Sequence, residues 1–364
     1  MSEQTQGQLS RIVIKGFKSI KACDLELKNI NVLIGANGAG KSNIIAIFEM
    51  LQKALTRELS YYAAKKGIDS LFYNGKEVTD SISAEFYFGN GVYAYEVEWT
   101  ENDSLLFREE SFNLAGKELL GEGGHRESNA LYTLRNLSAD ANIPQIMLNP
   151  SWGIYQFHDT SPSSRIKSEH NIDNCAVFMN DARNLAAYLY RLKQHFPTEY
   201  LKILKAVQRV APFFKDFMLK PREHNNEQIV LRWIQNDYNG ILYPSQLSDG
   251  TLRFICLATL LLQPASLQPA TIIIDEPELG LHPYAITIFS ELVKKASVKK
   301  QIILATQSVE LLDHFDVEDV VVVDRSDKGS ELKRLDTEQL GAWLEDYTLG
   351  ELWNKNVFGG RISR

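Results

Sequence analysis

Apolar residues change period sharply near the start of the chain. Ile30-Asn31-Val32-Leu33-Ile34 reads as a buried strand, and Ile44, Phe48, Leu51, Leu55 and Leu59 then recur at helical spacing. Between the two lies Gly35-Ala36-Asn37-Gly38-Ala39-Gly40-Lys41-Ser42, so the pattern predicts strand, tight loop, helix. Residues 81–88 and 92–99 alternate as strands do, with Gly89-Asn90-Gly91 as the turn, and residues 105–114 are expected to extend that sheet. The glycines at 121, 123 and 124 make 116–128 read as a mobile loop, and Ser161-Pro162-Ser163-Ser164 is a second break. Two stripes, Leu185, Leu189, Leu192 and then Leu201, Leu204, Val207, predict helices across 181–219, punctuated by Pro197 and Pro212. Residues 252–262 are almost unbroken apolar and predict a buried helix. Residues 271–274, 302–305 and 320–323 predict buried strands, and 331–335 a strand beside the last of them. Trp343, Tyr347, Trp353 and Phe358 are expected to pack the tail onto the body. The organisation expected is an N-terminal lobe over 1–115, a mainly helical insertion over 116–224, and a C-terminal lobe over 225–364.

Composition narrows the class. The 364 residues are 44% hydrophobic and 23% charged, which places the chain among ordinary globular proteins. No apolar run reaches the length of a membrane span, and residues 1–10 are polar without a signal-peptide core. Cys23, Cys175 and Cys256 lie far apart with no C-x-x-C pair, so they are expected as reduced thiols in a cytoplasmic protein. A net charge of −7 argues against constitutive coating of nucleic acid. Arg183, Arg191, Lys193, Lys202, Lys205 and Arg209 leave two readings open. They form a basic helical lobe for DNA phosphates or a partner, or a solvated face on a helix pair. Lys294, Lys295, Lys299 and Lys300 are read the same two ways, with a helix C-terminus favoured.

The chemistry is concentrated in three blocks. The first fits G-x-x-x-x-G-K-S between a strand and a helix. Backbone N–H groups over Asn37, Gly38, Ala39, Gly40, Lys41, Ser42 and Asn43 are expected to surround the phosphates of ATP. Lys41 is expected to reach the β- and γ-phosphates, and Ser42 to ligate Mg²⁺. The second block ends a buried strand in Asp275 and Glu276. Asp275 is expected to hold Mg²⁺, and Glu276 to orient and polarise the attacking water. In the third, Leu247-Ser248-Asp249-Gly250-Thr251, Ser248 and Gly250 open a helix and form either a plain N-cap or a second anion site. One chain cannot easily aim both anion sites at one phosphate, whereas two chains on a two-fold axis can, which predicts an isologous dimer.

With these blocks in this order, the chain resembles the ABC-type ATPases of the RecF/OLD/SMC branch over roughly residues 8–100 and 225–364. The start Ile12-Val13-Ile14-Lys15-Gly16-Phe17-Lys18-Ser19-Ile20 resembles that branch's opening strand and turn, and Asp275 to Pro283 resembles its acidic segment. The resemblance implies an α/β fold: a P-loop NTPase head of mixed sheet and flanking helices, carrying an α-helical insertion. It implies an ATPase with ATP and Mg²⁺ as cofactors, paired head to head, with 278–282 as the loop that crosses to the partner. Gln307 stands where the family usually has His, and is expected to sense the γ-phosphate. Gln156 is a candidate for the family's Q-loop, its alternative being core packing. The tail around Leu349-Gly350-Glu351-Leu352-Trp353 resembles compact bacterial ATPases found in anti-phage or toxin-type gene pairs, which implies a separately encoded effector protein. A low-turnover ATP sensor or scaffold restraining a toxin or nuclease, and a RecF-like DNA-binding ATPase, are the competing readings. A nuclease of the OLD type would be expected to need a TOPRIM domain after the ATPase, and only about forty residues follow the strand at 320–323.

Overall fold

The computed structural model describes residues 8–130, 132–133 and 152–360. Most of the polar opening and residues 134–151 of the expected insertion lie outside the described residues. The chain divides into two compact units, Met1–Ile154 with Ile303–Arg364, and Tyr155–Ile302.

In the first unit, β1 (Leu9–Phe17) and β2 (Ile20–Glu26) precede β3 (Ile30–Ile34). Strands β4 (Ser81–Phe88), β5 (Gly91–Trp99), β6 (Leu105–Leu114) and β7 (Lys117–Glu122) follow. Six of them form an antiparallel sheet in the order β2-β1-β4-β5-β6-β7. Alternation explains it: in β4, Ile82, Ala84, Phe86 and Phe88 are buried while the residues between them are half-exposed. Phe88 pairs with Gly91, leaving Gly89-Asn90 as a two-residue turn whose first position has φ +56°. The 116–128 stretch is not the mobile loop its glycines suggested. It holds β7, Phe107 N–H donates to the His125 carbonyl, and the Glu127 carboxylate accepts the Leu59 and Ser60 amides. A Cβ on Gly123 would sit 2.2 Å from the Arg108 carbonyl oxygen, so this glycine serves close backbone approach rather than mobility.

The first unit's other sheet places β3 beside β15 (Val320–Ser326), with β16 (Gly329–Arg334) beyond it and the later residues of β14 (Gln301–Thr306) on the other side. β15 runs parallel to β3, Val322 opposite Ile34, and antiparallel to β16. All five residues of β3 are buried, including Asn31, whose amide group bonds both backbone groups of Lys28. Helix α1 (Lys41–Leu55) follows β3 across the glycine-rich loop, and α2 (Leu59–Lys66) follows α1.

In the second unit, α3 (Leu185–His195) and α4 (Pro197–Val210) are the two helices the leucine stripes predict, with Pro197 at the first position of α4. Past Pro212 the expected helix gives way to β10 (Phe214–Phe217), which pairs with β12 (Trp233–Gln235) and stacks Phe214 on Trp233 at 5.3 Å. A smaller pair joins β9 (His170–Asn171) to β11 (Gln228–Ile229). Most cations on α3 and α4 are tied within the unit: Lys193 to Asp216, Lys202 to Glu199, Arg209 to Glu291, and Arg191 to the Cys175 and Ala176 carbonyls. This supports the solvated-face reading.

The same unit carries α5 (Asp249–Leu262), almost wholly buried, then β13 (Thr271–Asp275) and α6 (Pro283–Ser297). Lys294 and Lys295 occupy the last turn of α6. Lys300 donates to the Gln268 carbonyl, and burial lowers its ammonium pKa. No helix among the described residues is long and apolar enough to cross a membrane.

The first unit ends in α7 (Val309–Leu312), α8 (Thr337–Leu344) and α9 (Leu349–Asn354). The tail aromatics divide. Trp353 is buried and faces Phe358 at 5.9 Å, whereas Trp343 is 47% exposed and meets only its neighbour Tyr347, at a tilt, among the ring contacts described.

Candidate functional site: phosphate cradle and acidic strand end

The cradle belongs to the first unit. Gly38 and Gly40 have φ +82° and +116°, conformations that L side chains rarely adopt. Asn37, Gly38 and Ser42 are exposed, while Ala39, Gly40 and Lys41 are buried. The Lys41 ammonium donates to the Gly35 carbonyl at 2.6 Å and the Ala36 carbonyl at 3.1 Å, so the loop's own backbone holds the cation over the turn. Two serines brace the loop from behind. Ser330 Oγ, from β16, donates to the Ala39 carbonyl at 2.6 Å and lies 2.7 Å from Ser19 Oγ, and Asn43 Nδ2 donates to Ser19 Oγ at 2.6 Å. The Gly-Phe-Lys-Ser turn therefore buttresses the loop. Ser330 had no sequence signal, because its partners lie some three hundred residues away. The Ala39 and Asn43 amides already donate to the Ala36 and Gly40 carbonyls, and left-handed glycines, exposed Asn37, Gly38 and Ser42, and a buried ammonium remain as the groups that suit an anionic polyphosphate. A Cβ on Gly40 would fall 2.1 Å from Ser330 Oγ at a backbone angle hostile to alanine. Gly40→Ala is expected to weaken ATP binding at least about tenfold, the scale of one strained residue. Calorimetric titration checks it, and an unchanged affinity would mean that phosphate does not read this turn. Gln307 follows β14, the strand next to β3, and is exposed.

The acidic residues belong to the second unit. Asp275 closes β13, is 9% exposed, and accepts a hydrogen bond from Gln156 Nε2 at 3.1 Å. His158 Nε2 lies 3.0 Å from the Asp275 carbonyl, which can only accept, so the Nε2–H tautomer fits. Tyr155 and Phe157 are buried in an aromatic cluster with Phe178 while Gln156 between them is exposed. The aromatic strand end does pack in the core, and it aims Gln156 at the carboxylate. Glu276 has φ +46°, a left-handed backbone uncommon for glutamate.

Ser248 caps α5, its hydroxyl accepting from Thr251 N–H at 3.2 Å. A Cβ on Gly250 would lie 2.3 Å from the Gly280 carbonyl oxygen, so the opening of α5 and the 278–282 loop are in close backbone contact. Arg253, which sequence reasoning missed, ties this corner together. Its guanidinium donates to the carbonyls of Phe157 at 3.1 Å, His158 at 2.8 Å and Leu279 at 2.8 Å, and to Thr160 Oγ1 at 3.2 Å. An arginine one turn into an apolar helix was the available signal, since a fork of five donors is seldom placed there without carbonyls to meet.

A family model described as "AAA domain, putative AbiEii toxin, Type IV TA system" matches residues 30–313. The chain is similar to the Old nuclease of Escherichia phage P2, 24% identical over 374 residues, an alignment covering 92% of this chain and 62% of the phage protein. It is also similar to the DNA replication and repair protein RecF of Vibrio campbellii, 35% identical over 71 residues, or 19% of this chain and 20% of RecF. The chain thus spans less than two thirds of the length of these relatives. Among solved structures, an SMC head bound to the C-winged helix domain of ScpA matches with TM-score 0.59 and 18% identity, over 92% of this chain and 99% of that one. An Smc head with an extended coiled coil, bound to the C-terminal domain of ScpA from Pyrococcus furiosus, matches with TM-score 0.58 and 16% identity, over 93% and 98%. At such identities the structures show the fold, which is the ABC-type P-loop head. With its family match spanning well over half its length, the chain belongs to this AAA-domain family and is an ABC-type P-loop ATPase of the RecF/OLD/SMC-like branch.

Proposed function

We propose that this protein is a Mg²⁺-dependent ATPase whose ATP binding and hydrolysis close and open a head-to-head dimer, and that the cycle controls a separately encoded effector in a DNA-related or anti-phage defence system. Glu276 carries the reading. It follows Asp275 directly at the end of a buried strand, at φ +46°, and a carboxylate placed there can accept the proton of a water beside the metal-binding aspartate. That carboxylate favours turnover over a sensor that only binds ATP, and a turnover assay separates the two.

The roles follow from the chemistry of each group. The amides of residues 37–43 and the Lys41 ammonium bind the phosphates. Ser42 and Asp275 would hold Mg²⁺, which would supply charge neutralisation to the phosphates. Gln156, already bonded to Asp275, keeps that carboxylate oriented. Glu276 accepts the proton of the attacking water. The Gln307 amide donates to the γ-phosphate and, unlike histidine, carries no proton to give. Ser248 and Gly250 read the phosphate bound by the partner copy.

Trans recognition is tested with Ser248→Arg, whose long cation would fill the gap where the partner's γ-phosphate sits. The variant is expected to fold, with a Tm lowered by loss of the α5 N-cap, which costs about 0.5–2 kcal/mol, and to lose Mg²⁺-dependent phosphate release. Mixed with Lys41→Ala protein it should regain at most one working site per dimer, because the two lesions fall on opposite sides of the interface. Substantial turnover by pure Ser248→Arg protein would overturn the dimer reading.

A further inference from the structure

Within the first unit, the segment 349–360 touches the rest of the unit at two places that bear on nucleotide. Its last described residue, Gly360, offers its carbonyl to the Ala36 amide at 2.9 Å, the second position of the phosphate cradle. Upstream, the Gly350 amide donates to Asp313 Oδ1 at 2.6 Å. Asp313 ends α7, the short helix that Ser308 caps directly after Gln307. Helix α9 packs on α7, and a Cβ on Gly350 would lie 2.5 Å from Val309 Cγ1, so the approach is as close as backbone allows. Local contacts tie down the stretch between the two anchors. Thr348 and Glu351 form a reciprocal capping box at the start of α9. Trp353 is buried, and Gly359 and Gly360 turn at φ +82° and +84°, where a Cβ on Gly360 would sit 2.6 Å from the Trp353 ring.

We propose that 349–360 is a clasp that positions the nucleotide site, fastening the cradle at Ala36 and the element after Gln307 at Asp313. Neither contact uses an amide of residues 37–43 or the Gln307 side chain, so the clasp acts through backbone placement and not by touching phosphate. One rigid segment bonded to both the cradle and the post-switch helix obliges them to keep a fixed relation. Loosening either anchor lets the loop and the γ-phosphate sensor drift independently. The effect on ATP rests on the function proposed above; the effect on cradle mobility does not.

Three forms of the full chain separate the outcomes. Gly360→Val breaks the turn onto Trp353, Asp313→Ala removes the exposed acceptor of the Gly350 amide, and Asp313→Asn keeps an acceptor oxygen in place. Hydrogen–deuterium exchange without nucleotide should show the peptide over 35–41 exchanging about tenfold faster in Gly360→Val than in the wild type, the scale of losing one buried hydrogen bond. Asp313→Ala, on the exposed end of α7, should fold normally and speed exchange over 307–313, and Asp313→Asn should return it to the wild-type rate. Where wild-type protein hydrolyses ATP, Gly360→Val should raise the Kd for a fluorescent ATP analogue about tenfold, and Asp313→Ala should lower kcat with the Kd unchanged. Wild-type exchange in both variants would overturn the clasp. Altered exchange in a protein that binds no ATP would retain the clasp and reject the function.

Discussion

Lys41→Ala should bind ATP at least about a hundredfold more weakly than the wild type. Charge-assisted hydrogen bonds contribute about 1.5–3 kcal/mol each, and two such bonds to phosphate together exceed the roughly 2.7 kcal/mol that a hundredfold change in affinity represents. The geometry makes alanine a poor substitute. The ammonium is buried over the turn and bonded to the Gly35 and Ala36 carbonyls, so its loss removes the cation and also frees the loop that presents the amides. Titration with a fluorescent ATP analogue at saturating Mg²⁺ checks the affinity. A melting curve gives a second readout, since ATP should raise the Tm of the wild type and leave the variant's where it was. Wild-type affinity in Lys41→Ala would sink the assignment of the cradle.

Glu276→Gln should separate binding from turnover. Glutamine has nearly the shape of glutamate, so the left-handed backbone at φ +46° is retained, but a neutral amide cannot accept the proton of an attacking water. The expected result is an unchanged ATP affinity with kcat at least about a hundredfold lower, the scale of a lost general base. With hydrolysis blocked, the ATP-bound closed form should accumulate as a dimer visible by light scattering. Full turnover by this variant would place the base elsewhere. A mass that never changes with nucleotide in either form would reject opening and closing as the cycle's output.

Much of the molecule was legible because its signals are local. The boundaries of β4 follow from alternation alone, and the cradle from a strand, a glycine-rich turn and a helical stripe. The failures share a cause. Glycine at 123 reads as mobility until the Arg108 backbone is seen pressed against it, and the strand at Phe214 reads as helix until Trp233 is found stacked on it. Ser330 and Arg253 act through partners far along the chain, so nothing beside them announces the role. Gln156 was a candidate from the sequence, set against the packing of the two aromatics beside it, and only the fold shows that this packing accompanies an amide turned toward Asp275.

The close approach of Gly250 to Gly280 makes the head of α5 and the loop over 278–282 one mechanical body. With no side chain between them, and Arg253 bonded to the Leu279 carbonyl, neither can shift without the other. A reporter on that loop therefore reads the helix as well. Leu279 is 42% exposed and suits a single dye-bearing cysteine. The native thiols leave the field nearly clear: Cys23 and Cys256 are buried, with burial pushing the Cys23 thiol up to about 12 and raising that of Cys256 as well. Replacing half-buried Cys175 by serine would leave a chain whose fluorescence follows this one lever.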